Sequence, residues 1–311
     1  MQHPADTFMK MRRTQSGKHA AILTIALALA SPLVGGSPPL LRTPQLHPGQ
    51  KFVYRVRYQT QKVTRSESHI VTPLIPEAQK TDVERWLSVE IKSITGSGAD
   101  TKTAIHTQVL PSDGSPRQSS DEGIVDFALL PDGQASTIHG LELLPPDEQA
   151  LWRQWIAQFA LSWTFPANGV KPGEKWKNEE PVVGAPLAKL TWEKNLQYVR
   201  DEPCPQRGDN GSPAKPLGRC AVVVTTTSLK QRGSHDEATP EDYKVHQLKT
   251  SGTVQGKTQL ITFISLQTGF VERATEDSAQ TMDVLIAKAD DSNKAHFNVD
   301  ATSHTELILM Q

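Results

Sequence analysis

The chain is poor in cysteine, poor in aromatics and without an excess of either charge, and each shortage excludes something. Two cysteines in 311 residues rule out a disulfide-dense scaffold and leave too few thiolates for a cysteine-rich zinc site. Lysine and arginine number 33 against 34 aspartates and glutamates. With no basic block among them, the electrostatic footprint of a nucleic-acid binder is missing. No Gly-x-Ser-x-Gly elbow, His-Glu-x-x-His, phosphate-binding loop or dinucleotide fingerprint occurs, so these local signatures of hydrolases, metalloproteases, nucleotidases and dehydrogenases are lacking. Ser234-His235-Asp236 looks like a triad in print, but triads assemble from distant segments, and the stretch reads as an acidic surface loop. Asp290-Asp291-Ser292-Asn293 lacks the glycine and the closing glutamate of a calcium loop and reads as a solvated turn. No catalytic residue, metal ligand or cofactor is assigned, and the expectation is a protein that is not an enzyme.

Long apolar runs are also scarce. The main one, Ala20 to Ala30, is shorter than the roughly 20 residues a spanning helix needs. Lys10, Arg12, Arg13 and Lys18 precede it, and Pro32 to Gly36 break it. Positive charge, a short apolar run and small residues make a secretory signal peptide, residues 1–36, with cleavage after Ala30 or Gly36; retention as an anchor is the alternative. Removing those residues takes the formal charge from −1 to −4. The expected location is periplasmic or secreted, with no transmembrane domain after cleavage. In such an oxidising compartment Cys204 and Cys220 are expected to form one structural disulfide, stapling a loop of turn-forming residues. That loop contains a formal glycosylation sequon, Asn210-Gly211-Ser212.

What the chain has in quantity is alternation. Phe52, Tyr54, Val56 and Tyr58 alternate with Lys51, Arg55 and Arg57, the pattern of a strand with one buried face. Leu87 to Ile91, Ile105 to Val109, Ile124 to Leu130 and Gln134 to Ile138 continue it. Further on come Leu190 to Tyr198, Ala221 to Thr227, Tyr243 to Val254, Leu260 to Leu266, Phe270 to Ala274, Thr281 to Ala287 and Phe297 to Leu309. There is an internal echo. His47-Pro48-Gly49-Gln50-Lys51-Phe52 resembles Lys171-Pro172-Gly173-Glu174-Lys175-Trp176, and Phe127-x-x-Leu130-x-x-Gly133 resembles Phe263-x-x-Leu266-x-x-Gly269. Repeated short motifs in one order suggest a duplicated unit.

One segment breaks the β pattern. After Pro145 and Pro146, Asp147 and Glu148 suit the first turn of a helix. Leu151, Trp152, Trp155, Ile156, Phe159 and Trp163 then fall largely on one stripe, near helical spacing. With Phe, Trp and Tyr at 6 % of the chain, this concentration stands out. The stripe is either core or a lid over an apolar ligand. Arg153 is the only basic residue in the helix, which argues against a membrane-surface role.

The expected fold is mainly β (α+β), with two related antiparallel curved sheets or half-barrels and one Trp-rich amphipathic helix. The divisions are a linker at 37–46, a β-rich unit at 47–144, the connecting helix at 145–169, and a second β-rich unit at 170–311 with the loop 204–220. The signal peptide, the Pro-Gly-x-Lys-aromatic strand openings and the Phe-x-x-Leu-x-x-Gly hairpins resemble uncharacterised exported bacterial proteins rich in antiparallel sheet. In outline they are similar to the half-barrels of LolA-type lipoprotein carriers. That resemblance implies a curved sheet plugged by helices around an acyl chain, and it assigns no binding residue. The functional expectation is non-catalytic binding of an apolar ligand, lipid or envelope component, with Leu151, Trp152, Trp155, Ile156 and Phe159 as candidate lid. An envelope protein–protein interaction or assembly factor is the alternative, and an exported hydrolase ranks below both.

Overall fold

The computed structural model describes residues 40–68, 78–111, 123–182, 185–205, 218–233, 238–291 and 293–310. The expected signal peptide, the sequon and Ser234-His235-Asp236 lie outside the described residues. The elements are β1 (Lys51–Ser68), β2 (Ala78–Thr95), β3 (Lys102–Leu110), β4 (Ile124–Leu129), β5 (Ala135–His139), α1 (Pro146–Phe159), β6 (Lys175–Pro181), β7 (Leu190–Pro203), β8 (Arg219–Gln231), α2 (Glu241–Val245), β9 (Leu248–Ser265), β10 (Val271–Lys288) and β11 (Ala295–Leu309). The strands form one eleven-stranded antiparallel sheet in the order β5-β4-β3-β2-β1-β11-β10-β9-β8-β7-β6. The mainly β architecture with a Trp-rich helix is as expected. The two β-rich segments are the two flanks of a single sheet, joined where β1 pairs with β11 over the run Tyr54↔Leu309 to Ser68↔Ala295.

Period-two alternation builds the inner face. One row crosses seven strands: Arg85, Val56, Leu307, Ala274, Thr262, Val223 and Tyr198 are successive partners. All but Arg85 are buried, because α1 lies on this face. The outer face is polar. Asp82, Gln59, His304, Asp277, Gln259, Thr226 and Asn195 form the corresponding row. There Arg57 donates two hydrogen bonds to Asp82 at 3.0 and 2.7 Å, and Gln59 a third at 2.8 Å. These donors pull the Asp82 carboxyl down to about 2.

The echoed motifs occupy matching places. In both turns the glycine has positive φ, 83° at Gly49 and 89° at Gly173, which favours a residue without Cβ. Gly49 N donates to Ile91 O and Gly173 N to Tyr198 O, while Gln50 O and Glu174 O accept from Ile91 N and Tyr198 N. A bulge follows each of these partners, between Ile91 and Ser93 and between Tyr198 and Arg200. The second motif pair matches only at its glycine. Ile105 pairs with Phe127 and its counterpart Val223 pairs with Thr262, so Thr262, not Phe263, takes the place of Phe127. The reason is loop length. Leu130 N reaches Gln134 O, whereas Ser265 N reaches Phe270 O, one residue further. A one-residue slip turns a side chain to the other face, so Phe127 is buried and Phe263 lies on the outer face.

Two other expectations change. β9 and β10 are each continuous over 18 residues, where the sequence suggested breaks. Gly252, Gly256 and the polar stretch near Ser278 look like interruptions, yet the β9–β10 ladder runs through all three and the β10–β11 ladder through Ser278. Tyr243 sits in the short helix α2, entered from Pro240 with Glu241 and Asp242 in its first turn, a composition that favours a helix start over a strand.

Helix α1 has Pro146 in its first turn and Asp147 and Glu148 beside it, and the turn Ala160–Trp163 extends it as a 3-10 helix. Its stripe faces the sheet. Leu151, Trp152 and Trp155 are fully buried, Phe159 and Ile156 nearly so. Trp155 stacks on Phe159 at 5.3 Å and meets the edges of Tyr54, Phe127 and Trp152 at 6.2, 5.9 and 5.6 Å. Each such side chain contributes about 1.5–3 kcal/mol by leaving water, so this contact anchors the helix. Cys204 and Cys220 form a disulfide with their Cα atoms 4.8 Å apart, tying the end of β7 to the start of β8.

Candidate functional site

The sheet order leaves β5 and β6 as its two edges. Both edges border the same surface of α1, so the sheet curls round the helix and stops short of closing. The seam is a cleft of about 580 Å³. One wall is the β4–β5 turn and β5, from Pro131 to Ala135 and Ile138. The opposite wall is Asn178, Glu179 and Glu180 of β6 with Lys194 and Leu196 of β7. The floor is Arg153, Ile156, Ala157, Ala160, Leu161, Trp163 and Phe165.

Each wall is placed by local chemistry. The β4–β5 turn docks closely because Gly133 has no side chain. A Cβ there would lie 2.9 Å from Thr164 Cγ2 and 3.0 Å from Ala160 O, and φ is +83°. Asp132 caps the turn by accepting from Gln134 N at 3.0 Å. On the other side Lys194 donates to Glu180 at 2.6 Å and Arg232 to Glu179 at 2.8 Å. Arg153 is exposed on α1, and among the described residues it makes no ion pair or side-chain hydrogen bond.

Beneath the cleft, α1 is fastened to the sheet by polar bonds. Arg85 of β2 pairs with Glu148 at the start of the helix. Gln154 and Gln158 both donate to Glu276 of β10, the latter at 3.2 Å. Burial pushes the Glu276 carboxyl above its ordinary range, against the two amide donors and Lys194, which favour the charged form. Burial likewise raises the hydroxyl of Tyr58. Several buried polar atoms of the helix, its 3-10 extension and the inner sheet face have no partner among the described residues: Trp152 Nε1, Trp155 Nε1, Gln158 Oε1, Ser162 Oγ, Thr225 Oγ1, Thr262 Oγ1 and Thr305 Oγ1.

Of the five candidate lid residues, the structure places Leu151, Trp152, Trp155 and Phe159 against the sheet. Ile156 is the one that also borders the cleft. Trp163, read as the end of the stripe, borders the cleft, whereas the cleft residues Arg153, Lys194, Leu161 and Phe165 were not singled out from sequence as a site. Their one signal was Arg153, a lone base in a helix otherwise apolar, acidic or amide-bearing. No group of three or more His, Cys, Asp or Glu gathers to hold a metal among the described residues. No described helix is long and apolar enough to cross a membrane.

No known protein family matches the chain, and no curated protein resembles it in sequence. Among solved structures it is similar to the outer membrane protein OprG from Pseudomonas aeruginosa. The identity is 9 % over 85 % of this chain and 97 % of that one, with a TM-score of 0.18. A score that low carries no argument about function.

Proposed function

We propose that the protein is a non-catalytic binder of an apolar ligand, a lipid or other envelope component, held in the seam between β5 and β6. The observation that carries this reading is the cleft of about 580 Å³, floored by Ile156, Ala157, Ala160, Leu161, Trp163 and Phe165 where the sheet fails to close. Small-molecule sites of about 300–1,000 Å³ are the usual size, and here the apolar floor lies between walls that carry Asp132, Glu179, Glu180 and Lys194. Such a site would work much as the LolA-type resemblance implied, with a curled sheet and a helix shielding an acyl chain from water.

Two further observations support the reading. The Cys204–Cys220 bond fits an oxidising compartment, and periplasmic or secreted location is part of the proposal. The outer row of Asp82, Gln59, His304, Asp277 and Gln259 is polar, unlike the apolar band that a transmembrane barrel turns to lipid. The exposed edge is less suited to taking a partner strand. β6 carries Lys175, Lys177, Glu179, Glu180 and Pro181, residues that protect edges from pairing.

The test is native mass spectrometry of the protein purified gently from its own envelope, then denaturing extraction. A stoichiometric lipid or other apolar mass is the expected result. A clean apo mass, persisting after incubation with envelope lipid extract, overturns the proposal.

A further inference from the structure

Resting on the reading above, the geometry points to the chemical class of the ligand: a single-chain amphiphile with an anionic head group, its tail along the cleft floor and its head on Arg153. The charged groups lining the cleft are Asp132, Arg153, Glu179, Glu180 and Lys194. Four of the five are already engaged. Lys194 and Glu180 hold each other at 2.6 Å, Glu179 is held by Arg232 at 2.8 Å, and Asp132 accepts the backbone amide of Gln134. Arg153 is the exception, with its guanidinium free at the mouth of an otherwise apolar floor.

A guanidinium presents a planar fork of donors that matches a carboxylate with two parallel hydrogen bonds. Helical geometry sets the rest. Ile156 and Ala157 follow Arg153 by three and four positions, so they lie beside it on the same surface of α1. Ala160 and Leu161 continue that line one turn further, and Trp163 and Phe165 close it. A linear chain laid along this line leaves its charged end at Arg153 and its methyl end among Leu161, Trp163 and Phe165. The line along α1 is the one continuous apolar lane among the described residues of the cleft, and the wall facing it carries the ion pair Glu180–Lys194 beside Asn178 and Leu196.

The test is calorimetric titration of the purified protein with laurate, 1-dodecanol and dodecylammonium, each below its micellar concentration. The same set is run on Arg153→Gln and Arg153→Lys, with circular dichroism confirming the fold of each. Laurate is expected to bind one to one, about threefold to tenfold tighter than dodecanol, as a partly solvated charged hydrogen bond allows. Dodecylammonium should be the weakest. Arg153→Gln should bring laurate down to the level of dodecanol and leave dodecanol unchanged, while Arg153→Lys keeps part of the preference. Equal binding of laurate and dodecanol, or a preference that survives in Arg153→Gln, overturns the head-group assignment and leaves the apolar site standing. Failure of all three probes on folded protein overturns the head-group assignment together with the apolar site.

Discussion

Gln158 donates from Nε2 to Glu276 at 3.2 Å, while the carbonyl oxygen of the same amide is buried without a partner. The two groups meet across the contact between α1 and β10, where Gln154 also donates to Glu276. The ionised form leaves a charge half-buried, which costs stability. Burial therefore favours the neutral acid and outweighs the two amide donors and Lys194, which favour the ionised form.

The sign of the pH dependence follows. The folded-state affinity of Glu276 for its proton is raised above the unfolded value, so the native state holds the proton more tightly. Stability from this group is fully present below the ordinary glutamate range and is lost as pH rises through the raised value. Other groups near it are Asp277 on β10, Lys194 on β7 and Tyr58 on β1. Asp82, Glu90 and Glu142 shift downward and so act with the opposite sign, at lower pH. The expected result is a urea midpoint that falls from pH 4.5 to 8 in the wild type and falls less in Glu276→Gln. Parallel profiles for the two proteins would sink the idea.

Trp155 should be the most costly single truncation in the helix. Its ring meets Tyr54, Phe127, Trp152 and Phe159 and is fully buried. Trp155→Ala is expected to cost about 3–5 kcal/mol in urea unfolding. Trp155→Phe should cost much less, because it keeps most of the ring and removes an Nε1–H that has no partner.

The sequence made the fold far more legible than the site, and particular residues show why. Val56, Ala274, Val223 and Tyr198 share an inner row, and the alternation around each is local, so it shows in the chain itself. The joining of the two β-rich segments into one sheet depends on β1 meeting β11, a pairing across the whole chain that no local pattern encodes. The same applies to the seam. It exists because β5 and β6 each pair on one side only among the described residues, and Arg153 and Lys194 both line it from different elements. The aromatic stripe drew attention because it is dense, yet density marked the side of α1 that faces the sheet. The sparser side, with one arginine, small residues and Leu161, forms the cleft floor.

The disulfide should act on stability and leave the sheet intact. It closes a separation of 16 residues between the end of β7 and β8, strands already paired from Leu190↔Gln231 to Pro203↔Arg219. In the chain-entropy account a loop of this length contributes about 3 kcal/mol. The double variant Cys204→Ser, Cys220→Ser is expected to lose about that much in urea unfolding with an unchanged far-ultraviolet spectrum. A variant as stable as the wild type would place the bond's contribution outside folding.

Gly133 links the turn to the cleft and gives the most direct structural handle on the seam. Alanine there would put a methyl group 2.9 Å from Thr164 Cγ2 and 3.0 Å from Ala160 O, with φ at +83°. One contact is a side chain that can turn, but the other is the backbone of the 3-10 turn under the cleft floor, which has little room to give. The strain and the clash act together, and substitution at a positive-φ glycine typically costs more than about 1 kcal/mol. Relief comes by moving the β4–β5 turn away from Ala160, which widens the cleft and separates its wall from Leu161 and Trp163. Gly133→Ala should therefore lower stability modestly and weaken retention of an apolar probe more than its stability loss accounts for. Asp132→Ala serves as the control. It removes the cap on Gln134 N without adding volume at the contact, so it should lower stability slightly and leave probe retention near wild type. Equal effects of the two variants on retention would mean that close docking of this turn does not shape the cleft.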